Sequence, residues 1–369
     1  MRIFFSCIAF DGGKSGISEY MLSTLKEMLK AHHVDVLIDQ DDLDVFPIQH
    51  SNLSFLPLQR WLKRPVLSMF WHLFIIPLCY KLSSYDLVFL PAGNRRLFFR
   101  APKQTVVTFH DLSQFHIPGK YDALRMYYIR HVIPHYLKKI KHIFAISENT
   151  KNDLIRYYFM DPQRIKVNYN AFDPAKLDRY HPEADIREKY KLTRPYLLYI
   201  SRIEHPGKNH LNLIKAFEIL PASLSNSYDL VLAGSDWNGS DQVHSYAIKS
   251  TQRERIRFLG FVPNEDLASL YHYASLYVFP SFYEGFGIPI LEAMYCGVPV
   301  ICSNRSSLPE IGGEAVLTFD PELPADIASR IKDVIANEKL TNRMIADGKL
   351  RIRAFSWQEH VQRILATIK

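Results

Sequence analysis

Glu284 and Glu292 have seven residues between them in segment 283–299, YEGFGIPILEAMYCGVP, including the turn Gly285-Phe286-Gly287 and then Pro289. Proline suits the first turn of a helix, where its missing N–H is not needed, and Gly297 suits the left-handed stop after the last turn. The spacing therefore predicts a helix from about Ile288 to Tyr295. Its first turn leaves N–H groups without intrahelical partners and carries the positive end of the dipole, and the glycines let an anion reach bare backbone. This is the chemistry of a phosphate seat, with Glu284 at its mouth and Glu292 about one turn inside. Both carboxylates are placed to accept hydrogen bonds from sugar hydroxyls.

Cations belong near such a seat. In SRIEHPGKNHLNLIKAFEIL, residues 201–220, Arg202 follows an apolar strand-like run and Lys208 precedes a helix for which Asn209 is the expected cap. Both lie in one strand-to-helix loop, as neutralising a diphosphate requires. A second glycine-rich strand-to-helix turn, DGGKSGISEY at 11–20, lacks the glycine that a P-loop needs five positions before Gly13, where Ile8 stands. It remains a turn in which Gly13 or Gly16 admits a phosphate. His110 opens HDLSQFHIPGKY directly after the run Thr105–Phe109, in reach of a substrate hydroxyl if that strand ends at the site. His131 and His135 have the spacing of a helical metal pair, but Pro134 interrupts the turn and Val132 replaces the glutamate of a zinc protease. No metal site is expected.

The elements that must position these residues alternate from end to end. Short apolar, β-branched or aromatic runs at 2–10, 34–38, 85–90, 105–109, 142–146 and 165–168 are separated by helix-period segments such as 15–30. A second series runs at 196–201, 229–233, 256–259, 276–280 and 298–302. This is the pattern of parallel sheets with crossover helices. The polar, proline-bearing stretch at about 171–194 reads as a linker. The expected domains are a Rossmann-like 1–185 and a Rossmann-like 192–355. A final helix in 356–369 opens with the capping box Ser356 to Glu359 and packs back on the first domain. Two such domains put a cleft between the carboxyl ends of their sheets.

All of the net charge of +7 lies in the first half: residues 1–190 carry 26 Lys and Arg against 19 Asp and Glu, and residues 191–369 carry 19 of each. Within it, residues 95–142 hold ten basic residues and five histidines against Asp111 and Asp122 only. That suits an anionic membrane surface, a phosphate-bearing acceptor or nucleic acid. Cys7, Cys79, Cys296 and Cys302 have no metal-ligand spacing and read as free thiols of a reducing compartment. The apolar start is cut by Asp11, Gly12 and Gly13, so it reads as a strand and not as a signal peptide. The longest apolar stretch, 65–80, is too short to span a bilayer and reads as a buried or interfacial helix.

Taken together, the chain resembles the retaining glycosyltransferases of family 4, and bacterial mannosyltransferases of surface-polysaccharide synthesis in particular. The resemblance rests on EGFGIPILE at 284–292, on FLGFVPNEDLASLYHYASLYVFPSFYEGFG leading into it, on the loop from Arg202 to Lys208, on HDL at 110–112 and on SENTKNDL from Ser147. It implies the GT-B fold, in which two Rossmann-like, doubly wound parallel-sheet domains face each other across a cleft. It implies a hexose moved from a nucleoside-diphosphate sugar, GDP-mannose or a UDP-hexose, to a saccharide or lipid-linked saccharide. Front-face attack would retain configuration, with neither metal nor cofactor. Glu292 would hold the ribose, Glu284 the transferred sugar, and the amides of Gly285, Phe286, Gly287 and Ile288 the diphosphate together with Arg202 and Lys208. His110 would contact the sugar, Val262 the nucleobase and Gly16 the phosphates. The extra Gly-Gly-Lys before Ser15 and the His205-Pro206-Gly207 before Lys208 depart from the family pattern. They leave open which glycine meets phosphate and how far Lys208 reaches. The protein is expected in the cytoplasm, peripheral on the cytoplasmic face of the membrane. Alternatives are an epimerase or phosphorylase of the same fold, or a sugar-nucleotide binder without turnover. A nucleic-acid partner is not expected, because it would leave the residues around Glu284 without a role.

Overall fold

In the computed structural model, which describes residues 1–13, 15–117 and 119–368, two parallel sheets organise two units. Unit 1 comprises residues 1–171 and 355–369, and unit 2 residues 172–354. The sheet of unit 1 contains β1 (Arg2–Ser6), β2 (His33–Asp39), β3 (Leu53–Leu58), β4 (Leu87–Leu90), β5 (Thr105–Phe109), β6 (His142–Ala145) and β7 (Ile165–Val167), in the order β3-β2-β1-β4-β5-β6-β7. Unit 2 contains β8 (Tyr196–Ile200), β9 (Asp229–Ala233), β10 (Ile256–Gly260), β11 (Leu276–Phe279), β12 (Val300–Ser303) and β13 (Val316–Phe319), in the order β10-β9-β8-β11-β12-β13. In each sheet the order reverses beside the first strand, between β1 and β4 and between β8 and β11. In open sheets of this kind the loops leaving the carboxyl ends of two such strands splay to opposite faces, and ligands bind at that switch point.

Strand β1 shows why the first sheet is covered on both faces. Phe4 packs into one cluster with Leu37, Val88, Phe98 and Phe109, while Ile3 and Phe5 enter another with Tyr20, Met21, Leu25 and Val36. Successive side chains of a strand point to opposite faces, so an unbroken apolar strand needs two cores. Val361 and Ile364 of the final helix, Trp357–Ala366, join the second of these cores. Ser356 caps that helix by accepting from the Glu359 N–H at 3.4 Å.

Three local expectations are corrected. The first strand is shorter than residues 2–10: it stops at Ser6, and Cys7–Phe10 turn back on themselves with the Phe10 N–H donating to the Cys7 carbonyl at 2.9 Å. The stretch at 171–194 is not an unstructured linker. It carries the helix Glu183–Tyr190, whose Ile186 is buried, and Asp266 of unit 2 accepts from Lys189 Nζ at 2.6 Å and from the Tyr190 hydroxyl. Residues 172–185 therefore belong with unit 2 by contact, whereas the sequence reading placed them in the first domain. Strands β3 and β13, absent from the sequence reading, are the last strands at one edge of each sheet.

Candidate functional site

The two loops at the switch point of unit 2 carry the predicted cations and carboxylates. The loop after β8 holds Arg202 and Lys208, and the loop after β11 holds Glu284 and the glycine turn. They meet at an ion pair: Lys208 Nζ donates to Glu284 Oε1 at 2.7 Å across a separation of 76 residues. The Phe282 N–H donates to the Gly207 carbonyl at 3.0 Å, and the Tyr199 hydroxyl donates to the Lys208 carbonyl at 2.9 Å. Asn209 is not a side-chain cap. Its amide nitrogen donates to the carbonyls of Pro280 at 3.0 Å and Pro321 at 2.8 Å, so it fastens the start of the helix His210–Glu218 to loops after β11 and β13.

Arg202 lies farther out. Its guanidinium is 3.3 Å from Glu204 Oε2 and stands over the Trp237 ring, 4.8 Å from the centroid. Trp237 belongs to the loop after β9, which is bonded to the Arg202 loop rung by rung: Ser201 to Ala233, Ile203 to Ser235 and His205 to Asn238. Such closeness demands glycine at 234, where a Cβ would lie 2.0 Å from the Ser201 carbonyl oxygen. A cation over an indole face is held without losing its charge.

The glycine turn is strapped from behind by the loop after β12. Ser307 Oγ donates to the carbonyls of Glu284 at 3.0 Å and Phe286 at 2.7 Å, and Ser306 Oγ accepts from the Glu284 N–H at 3.0 Å. Gly287 adopts φ 113°, which only glycine takes readily, and a Cβ there would come 2.9 Å from Leu308 Cδ2. The helix Ile288–Tyr295 starts at once, with Pro289 in its first turn, and Gly297 ends it at φ 76°. Glu292, one turn in, accepts from the Tyr271 hydroxyl at 3.0 Å. Burial, reinforced by this carboxylate, drives the Tyr271 hydroxyl well above the usual tyrosine range, so it stays a donor. Val262 is buried directly after β10, beside the exposed Phe261.

In unit 1 the loop after β1 leads into the helix Gly16–Leu29. Gly12 and Gly13 take left-handed φ of 75° and 84°, Lys14 lies outside the described residues, and Ser15 caps the helix. Asp11 Oδ1 accepts from the Ser15 N–H at 3.1 Å and from the Ser18 hydroxyl at 2.6 Å, holding the turn open. A Cβ at Gly16 would meet nothing within 4 Å, so there is room at the helix N-terminus for a ligand atom. His110, after β5, is buried, and its Nε2 donates to the Pro91 carbonyl at 2.6 Å. Burial, only partly offset by that bond, lowers its pKa to about 4, so the ring is neutral near pH 7. The edge of Tyr20 packs on it at 4.6 Å, and the Tyr20 hydroxyl is 2.9 Å from both Thr108 Oγ1 and His360 Nε2. His110 is thus tied to the final helix through one tyrosine.

Sequence reasoning missed Trp237, Tyr271, Ser306, Ser307 and His360. Each acts on a residue distant in sequence, and none carries a local signal. No group of three or more His, Cys, Asp or Glu side chains among the described residues could hold a metal. What unit 2 offers is Lys208 held at Glu284 just before a helix N-terminus, with Arg202 farther out over Trp237, cations of the kind that stabilise negative charge with groups already in place.

Comparison with known proteins accords with this arrangement. The family described as Glycosyltransferase Family 4 matches residues 14–176, and that described as Glycosyl transferases group 1 matches residues 182–351. An O-antigen chain mannosyltransferase B of Escherichia coli is 36% identical over 258 residues, covering 69% of this chain and 68% of that protein. A serotype-specific mannosyltransferase of the same species is 30% identical over 295 residues, which is 74% of this chain but only 34% of the relative. Among solved structures, the sucrose-phosphate synthase of Thermosynechococcus elongatus superposes with a TM-score of 0.77 at 20% identity, covering 100% of this chain and 98% of the other. The protein has the GT-B fold and belongs to the glycosyltransferases of family 4, its second half being a group 1 glycosyl transferase domain.

Proposed function

We propose that this glycosyltransferase moves a hexose from a nucleoside-diphosphate sugar to a saccharide or lipid-linked saccharide acceptor, with retention of configuration and without a metal. The observation that carries the reading is the Lys208–Glu284 pair, set where the β8 and β11 loops meet and next to the N-terminus of the helix Ile288–Tyr295. As the bond from the anomeric carbon to the diphosphate breaks, negative charge grows on the leaving phosphate. Lys208, Arg202 and the first-turn amides from Gly285 to Ile288 are the groups proposed to take it up. The acceptor oxygen forms the new bond on the face the phosphate leaves, and its proton passes to a phosphate oxygen. Glu284 then orients the transferred sugar, Glu292 with Tyr271 behind it the ribose, and Val262 borders the base. Gly16 and His110 are the contributions proposed for unit 1.

Mannose, as GDP-mannose, is the favoured cargo because the relatives named above are mannosyltransferases, with UDP-hexoses next. The same names support a place in O-antigen or related surface-polysaccharide synthesis. The basic first half supports an anionic membrane as partner, at the cytoplasmic face. No helix among the described residues is long and apolar enough to cross a membrane. The test is thermal stabilisation by a panel of nucleoside-diphosphate sugars in EDTA, since a ligand bound only to the native state raises the melting point by mass action. A shift with one sugar nucleotide, lost in Glu284→Ala, supports the reading. No shift with any of them, or one that needs magnesium, refutes it.

A further inference from the structure

Residues 65–79 form one continuous helical rod that is apolar on its outward side as well as its inward one. It runs as Pro65–Phe70 and Ile76–Cys79 with a wider π-type turn, Trp71–Ile75, between them, as expected where Pro77 removes an N–H from the ladder. Ser68, His72 and Ile76 repeat every four residues on the buried side. Arg96 donates to Ser68 Oγ at 3.2 Å, and His72 Nε2 lies 2.8 Å from Ser6 Oγ at the end of β1. The outward side carries Phe70, 53% exposed, and Leu78, 64% exposed, with half-buried Phe74 between them. Residues 65–80 contain no Asp, Glu, Lys or Arg. A surface helix of a water-soluble protein puts polar side chains outward; this one sends Leu73 and Ile76 into the core and is apolar on its exposed side as well, the pattern of a helix covered on every side.

The apolar row is bordered by positive charge and aromatic rings. At its amino end Arg60, Trp61, Arg64 and Leu67 line an open hollow of about 490 Å³, and Trp61 packs on Trp71 at 5.5 Å. Along its flank Phe74 meets Tyr136 at 6.2 Å, and Lys139 stands 4.9 Å over that same ring. Tyr136 thus joins the row to the basic segment 125–141, in which Arg125, Arg130, Lys138, Lys139 and Lys141 are exposed.

From this juxtaposition we infer that the outward face of residues 65–79 inserts into the headgroup region of an anionic phospholipid bilayer. Phe70, Phe74 and Leu78 enter the acyl boundary, Trp61 sits at headgroup level, and Arg60, Arg64 and Lys139 pair with lipid phosphates. Apolar side chains supply sequence-independent burial and the flanking cations add attraction to negative lipid. A second copy of the chain would bring like charge against like charge along this flank. The inference deepens the membrane partner proposed above and rests on that reading only in the choice of a lipid surface. It locates the insertion in the charge-free rod, with the basic run 95–142 acting as its electrostatic border.

The test uses the full chain and vesicles of phosphatidylcholine with or without phosphatidylglycerol. Cys79, exposed at the end of the row, takes an environment-sensitive thiol dye in a Cys296→Ser background, because Cys296 is only partly covered while Cys7 and Cys302 are buried. The expected result is a blue shift of the dye on phosphatidylglycerol vesicles that persists in part at high salt. The partition constant should fall about a hundredfold in Phe70→Ser/Leu78→Ser. Both positions are exposed, so the variant keeps the wild-type melting curve and its stabilisation by sugar nucleotide. Equal vesicle binding by variant and wild type overturns the inference, as does binding abolished by salt alone with no dye shift. So does a wild-type chain that ignores vesicles while still being stabilised by donor. A dimer that the double substitution dissolves would assign the face to a second copy and would also overturn it.

Discussion

Replacing Lys208 with Met removes one charge and keeps most of the stem, so it isolates the ammonium that sits 2.7 Å from Glu284 Oε1. The two side chains are only 19% and 16% exposed, so water replaces the lost partner poorly. A charge-assisted hydrogen bond contributes about 1.5 to 3 kcal/mol, and a carboxylate left without its partner adds a desolvation cost, so a loss of about 2 kcal/mol is expected. In a unit of this size that lowers the melting point by about 4 to 8 °C. Turnover should fall far more than stability. A fixed donor acting on charge that develops in the transition state is worth about a hundredfold to a thousandfold in rate. The double variant Lys208→Met/Glu284→Gln separates the two effects. It no longer strands a charge and should recover at least half of the lost stability, while its turnover stays at or below that of Lys208→Met. Melting curves and release of nucleoside diphosphate measure both. A Lys208→Met protein that melts with wild type would mean that the pair does not form in solution. One that turns over within tenfold of wild type would remove Lys208 from the chemistry, about tenfold being well below the loss of a single such donor.

Gly287→Ala should destabilise by about 2 to 3 kcal/mol, because φ 113° is strained for any residue with a Cβ and Leu308 must also move. Donor affinity should drop with it, and calorimetric titration showing wild-type affinity would argue that the turn does not bind the diphosphate. Tyr271→Phe should weaken donor binding by about tenfold, the worth of one hydrogen bond that orients Glu292, while turnover at saturation changes little. A loss confined to turnover would contradict that role. Acidification supplies a test of the buried histidines. His110 and His360 have pKa values lowered to about 4, and His72 and His210 to about 3, in each case chiefly by burial. The unfolded chain therefore binds protons first, and stability is lost as pH falls below about 6.5, by on the order of 3 kcal/mol for a single such histidine by pH 4. Most carboxylates remain ionised above pH 5, so the melting point should decline between pH 6.5 and pH 5. His360→Asn should shallow that decline, and a flat profile would show that these rings are not buried in solution.

The division between local and distant information runs through particular residues. The helix Ile288–Tyr295, its glycine borders and the helix Gly16–Leu29 with its Ser15 cap were legible because propensity, capping and apolar period all act within a few residues. The inner strands were legible for the same reason, being apolar on both faces. Strand β3 was not. It is an edge strand whose residues are largely exposed or half-buried, and it carries Pro57, which an edge tolerates and a sequence pattern reads as a break. Strand β13, four residues at the opposite edge of the other sheet, is too short to show a period of its own.

By itself, the sequence determined the alternation of strands and helices, the paired glutamates around a glycine turn, and a positive first half. The tertiary structure alone decided which loops meet. Strand order brings the loop after β8 beside the loop after β11, and that adjacency makes an ion pair of Lys208 and Glu284. It also puts Trp237 under Arg202, closes Tyr20 on His360 across 340 residues, and turns Phe70 and Leu78 outward while Ser68 and His72 face in. The physical reason is range. Helix and strand preferences are sums over near neighbours and can be read along the chain, whereas these contacts depend on how sheets are ordered and which faces the cores cover.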